Sequence, residues 1–179
     1  MENISWDKTF MATAKLFADH STCKRLHVGA VIVKDKRIIS CGYNGTPSGM
    51  EHCCDVFKDV DLTTIENREE HHKFSEKYEI HAEQNAICYA AKEGIELGDC
   101  TIYTTTETCL NCAKAIVAAG IKRVVFGEKY NRTSEGTEFL KKAFFATFFI
   151  INYCHLIFMI WHSKVHTLFS FICDSISAY

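Results

Sequence analysis

The sequence has no excess of charge of either sign. Its 179 residues carry 20 Lys and Arg against 22 Asp and Glu, a formal net charge of -2. This balance gives no basic face, so we expect no nucleic-acid partner. The first 15 residues contain Glu2 and Asp7 and no continuous apolar stretch, so no secretory signal is predicted. Without internal repeats or low-complexity linkers, the length suits one domain with a sizeable core.

Charge is also scarce near the C-terminal end. Over residues 143–179 the only Lys, Arg, Asp or Glu are Lys164 and Asp174, and ten of the 22 aromatic residues lie there. Residues 143–163 are uncharged, and a membrane span needs about 20 apolar residues. Three interpretations stay open: a frameshifted or fused C-terminus, which we favour, a membrane-associating segment, or core strand and helix. We therefore predict a domain over 1–142 and an aberrant hydrophobic tail.

Ten cysteines without an export signal indicate a reducing compartment, the cytoplasm. In that compartment cysteines serve as metal ligands or as small buried residues, and a disulfide framework is the alternative. Cys41, Cys88 and Cys100 are expected to be small buried residues on strands or helix faces.

Helical and strand patterns alternate along most of the chain. The strand signals are short β-branched runs, and the helix signals are apolar residues three or four apart, with Ser5 as the first N-cap. Residues 50–77 read as a polar insertion with a helix near its end. Alternating strands and helices predict a three-layer α/β/α domain. Helices are predicted over 5–18, 81–92, 109–119 and from 135, and strands over 28–33, 37–41, 101–105 and 123–126.

Two short motifs supply the residues of a metal site. His81 lies two residues before Glu83, and Cys109 and Cys112 form a Cys-x-x-Cys pair. At two helix N-termini, whose dipoles favour thiolates, these residues offer three zinc ligands and leave the fourth position open for water. Glu83 can then move protons without ligating the metal. Hydrolytic deamination of a nucleobase needs this combination. The alternative is a structural zinc knuckle with Glu83 as a solvated helix residue.

With residues 28–33 and 42–49, these motifs resemble the zinc-dependent cytidine deaminase superfamily, and within it the deoxycytidylate (dCMP) deaminases, especially the phage enzymes. The similarity covers roughly residues 5–142. It implies a cytidine-deaminase-like fold with a central mixed sheet, and conversion of dCMP to dUMP and ammonia for thymidylate synthesis. The alternatives are a zinc deaminase of cytidine, a guanine-type base or tRNA adenosine, or a catalytically weak, deaminase-like nucleotide-binding protein.

The resemblance also assigns residues around the substrate. The loop over 42–49 is expected to select the nucleotide, since Gly-rich backbone can approach a ligand closely; an ordinary turn is the alternative. Asn44 is expected to hydrogen-bond the deoxyribose, and Tyr130 to contact the substrate. The remaining nucleotide-loop or allosteric positions are Gly42, Tyr43, Gly45, Thr46 and Lys92.

By the same resemblance, the protein is expected to form a homohexamer that dCTP activates and dTTP inhibits, aided by Mg²⁺. Its place is the cytoplasm, or the host cytoplasm if the source is viral. A membrane partner is expected only if the tail is genuine.

A second, structural zinc is implied by the resemblance to the phage enzymes. Its ligands fall on Cys23, Cys53, His71 and Glu79, which no short motif links. A closed four-ligand site would pin the polar insertion, which has too few apolar residues to hold itself. Buried thiols and loop residues are the alternative, and the neighbouring residues His52, Cys54 and His72 are substitute ligands.

Thr108 departs from the family pattern, which has Pro immediately before the first Cys. Pro pre-sets the first turn of a helix. Thr is a favourable N-cap, so we expect the helix to start and metal ligation to survive, with a softer site and reduced activity.

Overall fold

The computed structural model describes residues 4–129 and 134–143, together with the backbone of Phe149–Ile150. In chain order the described elements are α1 (Trp6–Ala18), β1 (Gly29–Lys34), β2 (Arg37–Tyr43), α2 (Cys53–Val56), α3 (Ile65–Tyr78), α4 (Ala82–Lys92), β3 (Thr101–Thr106), α5 (Leu110–Ala118), β4 (Arg123–Glu128), α6 (Glu135–Ala143) and β5 (Phe149–Ile150). Ser5 caps α1 as predicted, because its side chain accepts a hydrogen bond from the Lys8 N–H.

The described strands form one sheet in the order β2-β1-β3-β4-β5. β1 pairs antiparallel with β2 and β3, whereas β4 pairs parallel with β3 and β5. The β1–β2 hairpin closes through Asp35 and Lys36, whose φ angles of 49° and 61° match the right-handed twist of the two strands. The predicted mixed sheet is therefore confirmed.

Helices cover both faces of the sheet, which confirms the three-layer α/β/α fold. Along β1, Val31 and Val33 pack with Phe10 and Met11 of α1 on one face. Ala30 and Ile32 belong to the larger cluster on the opposite face. Strand alternation therefore divides the core in two. The larger cluster takes Ala82, Ala86 and Ala90 from α4, Ala113 and Ile116 from α5 and Leu140 from α6.

The polar insertion forms α2 and α3, packed on a small core of its own. Cys23, Cys53 and Phe57 are buried there, with Phe74 of α3 packed against them. The ring centroids of Phe57 and Phe74 lie 5.3 Å apart in an edge-to-face arrangement. This satellite core is joined to the main domain next to the start of α4.

Beyond Ala143, which ends α6, only Phe149 and Ile150 of the hydrophobic tail have a described backbone. Phe149 and Ile150 pair in parallel with Val125 and Phe126 of β4. Residues 144–148 and 151–179 lie outside the described part, so the domain boundary at residue 142 stays a prediction. Within the described residues, no helix has the length and hydrophobicity to cross a membrane.

Candidate active site

His81, Cys109 and Cys112 converge although the histidine lies 28 residues before the first cysteine. His81 Nδ1 is 3.4 Å from Cys109 Sγ and 3.4 Å from Cys112 Sγ. In a tetrahedral zinc site, a nitrogen and a sulfur ligand are about 3.6 Å apart. Cys112 is buried, Cys109 half-buried and His81 exposed, so the cluster opens to solvent on one side. The three donors fit zinc at a site with room for a further ligand.

Two helix starts place these ligands. His81 is the N-cap of α4, and its N–H donates to Gln84 Oε1 at 3.1 Å. Cys109 is the N-cap of α5, and its Sγ accepts from the Cys112 N–H at 3.5 Å. The expectation that Thr108 caps α5 is therefore wrong. The Cys109 sulfur takes that role, and Thr108 lies one residue outside the helix.

The thiols of this cluster have unequal proton affinities. Hydrogen bonds from the Cys112 thiol and from the His81 ring lower the pKa of Cys109 from 9.0 to about 4. The pKa of Cys112 is raised, first by its bond to the Cys109 thiolate and then by burial. The pKa of His81 is raised, mainly by its hydrogen bond to Cys109. Of the two thiols, Cys109 therefore gives up its proton more readily.

Glu83 lies in the first turn of α4 and is only 4% exposed. Burial raises the pKa of its carboxyl, and the charge of His81 opposes that shift. The Thr108 hydroxyl also lowers this pKa, so it lies beside the carboxyl. This contact does not meet the geometry of a hydrogen bond, so the buried Thr108 Oγ1 has no hydrogen-bond partner within the described chain. Glu83 thus has a higher proton affinity than an exposed glutamate, as suits a group that takes up and passes on a proton.

A second cluster joins Cys23, Cys53 and His71 beneath the insertion. His71 Nε2 lies 3.5 Å from Cys23 Sγ and 3.3 Å from Cys53 Sγ, and all three residues are buried. Burial raises the pKa of Cys23, and raises that of Cys53 to about 12. Three buried soft donors at these separations also have the chemistry of a zinc site.

Glu79 borders this cluster but stands outside the set of ligand atoms within 4.8 Å of one another. Its carboxylate contributes to the raised pKa of both Cys23 and Cys53, so it lies beside the two thiols. Glu79 Oε2 accepts from the Ser75 hydroxyl at 2.5 Å, while Oε1 is buried without a hydrogen-bond partner in the described residues. An orphaned carboxylate oxygen beside two thiols fits a fourth ligand.

The predicted nucleotide loop is tied to its surroundings by Asn44. Its Oδ1 accepts from the Val28 N–H, and its Nδ2 donates to the Leu26 carbonyl, both at 2.8 Å. One amide hydrogen and one oxygen lone pair remain for a ligand. At Gly42 a Cβ would lie 2.4 Å from the Ala82 carbonyl oxygen. Gly42 therefore lets α4 approach β2 closely.

The other predicted residues are more dispersed. Tyr43 is exposed, and Thr46 Oγ1 lies 3.2 Å from His52 Nδ1. Lys92 forms an exposed ion pair with Glu93. Tyr130 lies outside the described residues.

The comparisons with known proteins agree with this geometry. Residues 4–128 match the family described as "Cytidine and deoxycytidylate deaminase zinc-binding region". The chain belongs to this deaminase family.

Similar proteins of known name occur in bacteria, phages, yeasts and mammals. ComE operon protein 2 of Bacillus subtilis is 40% identical over 147 residues, covering 80% of this chain and 70% of that protein. The deoxycytidylate deaminase of phage T4 is 37% identical over 155 residues, covering 72% and 80%. A crystal structure of the cyanophage S-TIM5 dCMP deaminase with dCMP and dUMP matches with a TM-score of 0.64 and 31% identity, covering 80% of this chain and 95% of that one.

Two further residues also differ from the sequence-based expectations: Lys24 was not anticipated, and Cys88 was expected in the wrong environment. Lys24 Nζ donates to the carbonyls of Phe57, Lys58 and Val60 at 2.5–2.9 Å, and so fastens the insertion beside Cys23. Its only signal in the sequence was its position next to a predicted ligand. The burial expected for Cys88 is wrong, because this residue lies on the solvent side of α4. The eight described cysteines are all free.

Proposed function

We propose that this protein is a zinc-dependent dCMP deaminase that converts dCMP and water into dUMP and ammonia. The observation that carries the proposal is the meeting of His81 Nδ1 with two thiols directly beside the buried Glu83 carboxyl. Family membership and the similarity to a dCMP deaminase whose structure holds dCMP and dUMP support the choice of substrate.

His81, Cys109 and Cys112 would hold the zinc. When bound there, zinc supplies a Lewis acid that lowers the pKa of water toward about 7. The Glu83 carboxylate accepts a proton from the attacking water and passes it to the ring nitrogen N3. It then takes the proton of the new C4 hydroxyl and gives it to the amino group, which leaves as ammonia while the C4 carbonyl forms. Burial raises the pKa of the Glu83 carboxyl and so strengthens its uptake of the proton from water.

The second zinc belongs to the same proposal, with Cys23, Cys53, His71 and Glu79 as ligands. Its support is the buried Cys and His donors and the unpartnered Glu79 Oε1. A closed site of this kind is structural, because no ligand position stays open for water. It would hold the insertion against the start of α4 and contribute to folding.

The substrate-binding part of the proposal rests on the loop beside α4. We assign the remaining hydrogen-bonding capacity of Asn44 to the deoxyribose, and we assign Tyr130 to contact with the substrate. Gly42, Tyr43, Gly45 and Thr46 form the nucleotide loop, and Lys92 is assigned an allosteric role. From the family resemblance we further propose a cytoplasmic homohexamer that dCTP activates and dTTP inhibits, aided by Mg²⁺.

Ammonia release from dCMP by the zinc-loaded full chain tests the proposal. Glu83→Gln keeps the size of the side chain but removes proton transfer, which contributes about 10²- to 10⁴-fold to rate. We expect a loss of that size with zinc content unchanged. Glu96→Gln is the matched control, because Glu96 is exposed. It follows the C-terminal end of α4, about 15 Å from Glu83 along the helix.

Comparison of substrates tests the choice of dCMP. Higher turnover of cytidine, of a guanine-type base or of tRNA adenosine would contradict it. Nucleotide binding without turnover in the zinc-loaded protein would instead favour a nucleotide-binding protein, and undiminished activity of Glu83→Gln would refute the mechanism.

A further inference from the structure

The start of α6 rests directly on the peptide that carries the Cys109 ligand. Gly136 is buried, and a Cβ at this position would lie 2.0 Å from the Thr108 carbonyl oxygen and 2.9 Å from that of Cys109. Real Cβ atoms do not approach backbone so closely, so only glycine permits this contact. The backbone of α6 therefore restrains the position of the Thr108 and Cys109 carbonyls.

A hydrogen bond reinforces this contact from the neighbouring position. The Thr137 hydroxyl donates to Glu107 Oε1 across 30 residues of sequence. Glu107 is only 8% exposed, and its N–H donates to the Glu128 carbonyl at 2.7 Å. Its main chain is thus fixed to β4 while its side chain is fixed to α6. Glu107 and Thr108 form the short link between the end of β3 and Cys109.

Two other helices support the metal cluster. α4 places His81, and α5 places Cys112 together with the cap at Cys109. Neither of them fixes the chain that enters Cys109 from β3. The contacts of α6 fall on that entering chain.

We propose that Thr137 and Glu107 are positioning residues that hold Cys109 in the geometry needed for zinc. The inference rests on the proposed zinc site but adds residues that are not ligands. Hydrogen bonds behind metal ligands fix ligand orientation, and their loss typically costs about 10- to 100-fold in metal affinity or activity. A loosened Cys109 would release its bond to the metal more often. The expected defect is local, since the second cluster is supported by other segments.

The test is pulsed alkylation of the zinc-loaded full chain with N-ethylmaleimide, read for each cysteine by mass spectrometry. Thr137→Val removes the donor at nearly constant volume, and Thr137→Ser keeps it. We expect Cys109 to be modified about 10-fold faster in Thr137→Val. Thr137→Ser should stay near the wild-type rate, and so should Cys23 and Cys53 in every variant. For dCMP we expect kcat to fall by a similar factor with little change in KM.

Thr13→Val serves as the matched control, because the Thr13 hydroxyl donates only to the Thr9 carbonyl within α1. The proposal is overturned if Cys109 in Thr137→Val is as well protected as in Thr13→Val. It is also overturned if Cys23 and Cys53 become equally reactive, which would mean general loosening. If the wild-type protein turns over no dCMP, the proposed function fails, while the alkylation comparison still decides the role of Thr137.

Discussion

Gly45 and Ile80 exchange two backbone hydrogen bonds, with N···O distances of 3.2 and 2.9 Å. They form an isolated antiparallel bridge outside the main sheet. Gly45 belongs to the predicted nucleotide loop, and Ile80 lies between Glu79, which borders the second cluster, and His81 of the first. One bridge therefore connects the predicted nucleotide loop to the chain between the two candidate metal sites.

Replacing Gly45 by alanine should disturb this bridge. A Cβ there would lie 2.4 Å from Thr22 Oγ1, so either the loop or the threonine must move. We expect Gly45→Ala to raise KM for dCMP at least several-fold, because the loop shifts relative to Asn44. The catalytic group Glu83, in the first turn of α4, should keep its position. Steady-state kinetics on dCMP measures the change.

Thr22→Ala supplies the control for this prediction. It removes the clashing oxygen, which has no hydrogen-bond partner in the described residues. The double variant Thr22→Ala, Gly45→Ala should recover most of the lost affinity, and Thr22→Ala alone should behave like the wild-type enzyme. An unchanged KM in Gly45→Ala, or a double variant as impaired as the single one, would contradict the steric explanation.

The first cluster could be anticipated from sequence because its parts are local. His81 and Glu83 lie in one helical turn, and so do Cys109 and Cys112, so pattern and spacing place them. The prediction that Thr108 caps α5 was wrong for a chemical reason, since the sulfur of the next residue, Cys109, accepts the capping hydrogen bond from the Cys112 N–H. The Thr137–Glu107 bond had no signal at all, because it joins residues 30 positions apart with no periodic pattern. The fold followed from alternating strand and helix patterns.

Removal of His71 should lower metal content without touching the first cluster. His71→Ala deletes the donor that lies near both buried thiols. We expect the purified protein to contain one zinc fewer per chain than wild type and to unfold at a lower temperature, since structural zinc contributes to folding. His72→Ala is the matched control, because this neighbouring side chain is exposed and pairs with Glu76. Equal zinc content in the two variants would refute the second site.

Thr108→Val tests the corrected view of the α5 start. If Cys109 caps the helix, removing the Thr108 hydroxyl leaves the capping hydrogen bond intact. It also removes a buried oxygen that lacks a hydrogen bond, a situation that is destabilising by about 1 kcal/mol or more. We therefore expect the free energy of unfolding to stay equal or rise by about 1 kcal/mol. Urea unfolding measures it, and a clear loss of stability would show that the hydroxyl has a stabilising partner.

Asp7 on α1 should give the fold a measurable acid dependence. Arg123 of β4 donates two hydrogen bonds to its carboxylate, at 2.9 and 2.7 Å, and the Tyr103 hydroxyl donates a third at 2.7 Å. The hydrogen bonds from Arg123 are the main cause that holds the pKa of Asp7 below its ordinary value of 3.8. A lowered carboxyl pKa stabilises the fold above pH 3.8, and that contribution disappears as the pH falls through the lower folded-state pKa.

Asp7→Asn resembles the protonated acid and therefore isolates this contribution. At pH 7 we expect the variant to be less stable by about 1 to 2 kcal/mol, given partly exposed side chains. The difference from wild type should shrink as the pH falls below 3.8 and approach zero below the lowered folded-state pKa, where Asp7 is neutral in the folded wild-type protein as well. Urea unfolding at several pH values measures it. In an Arg123→Met background the Asp7→Asn difference should be small at every pH, and a difference that persists at pH 7 there would assign the effect to other partners of Asp7.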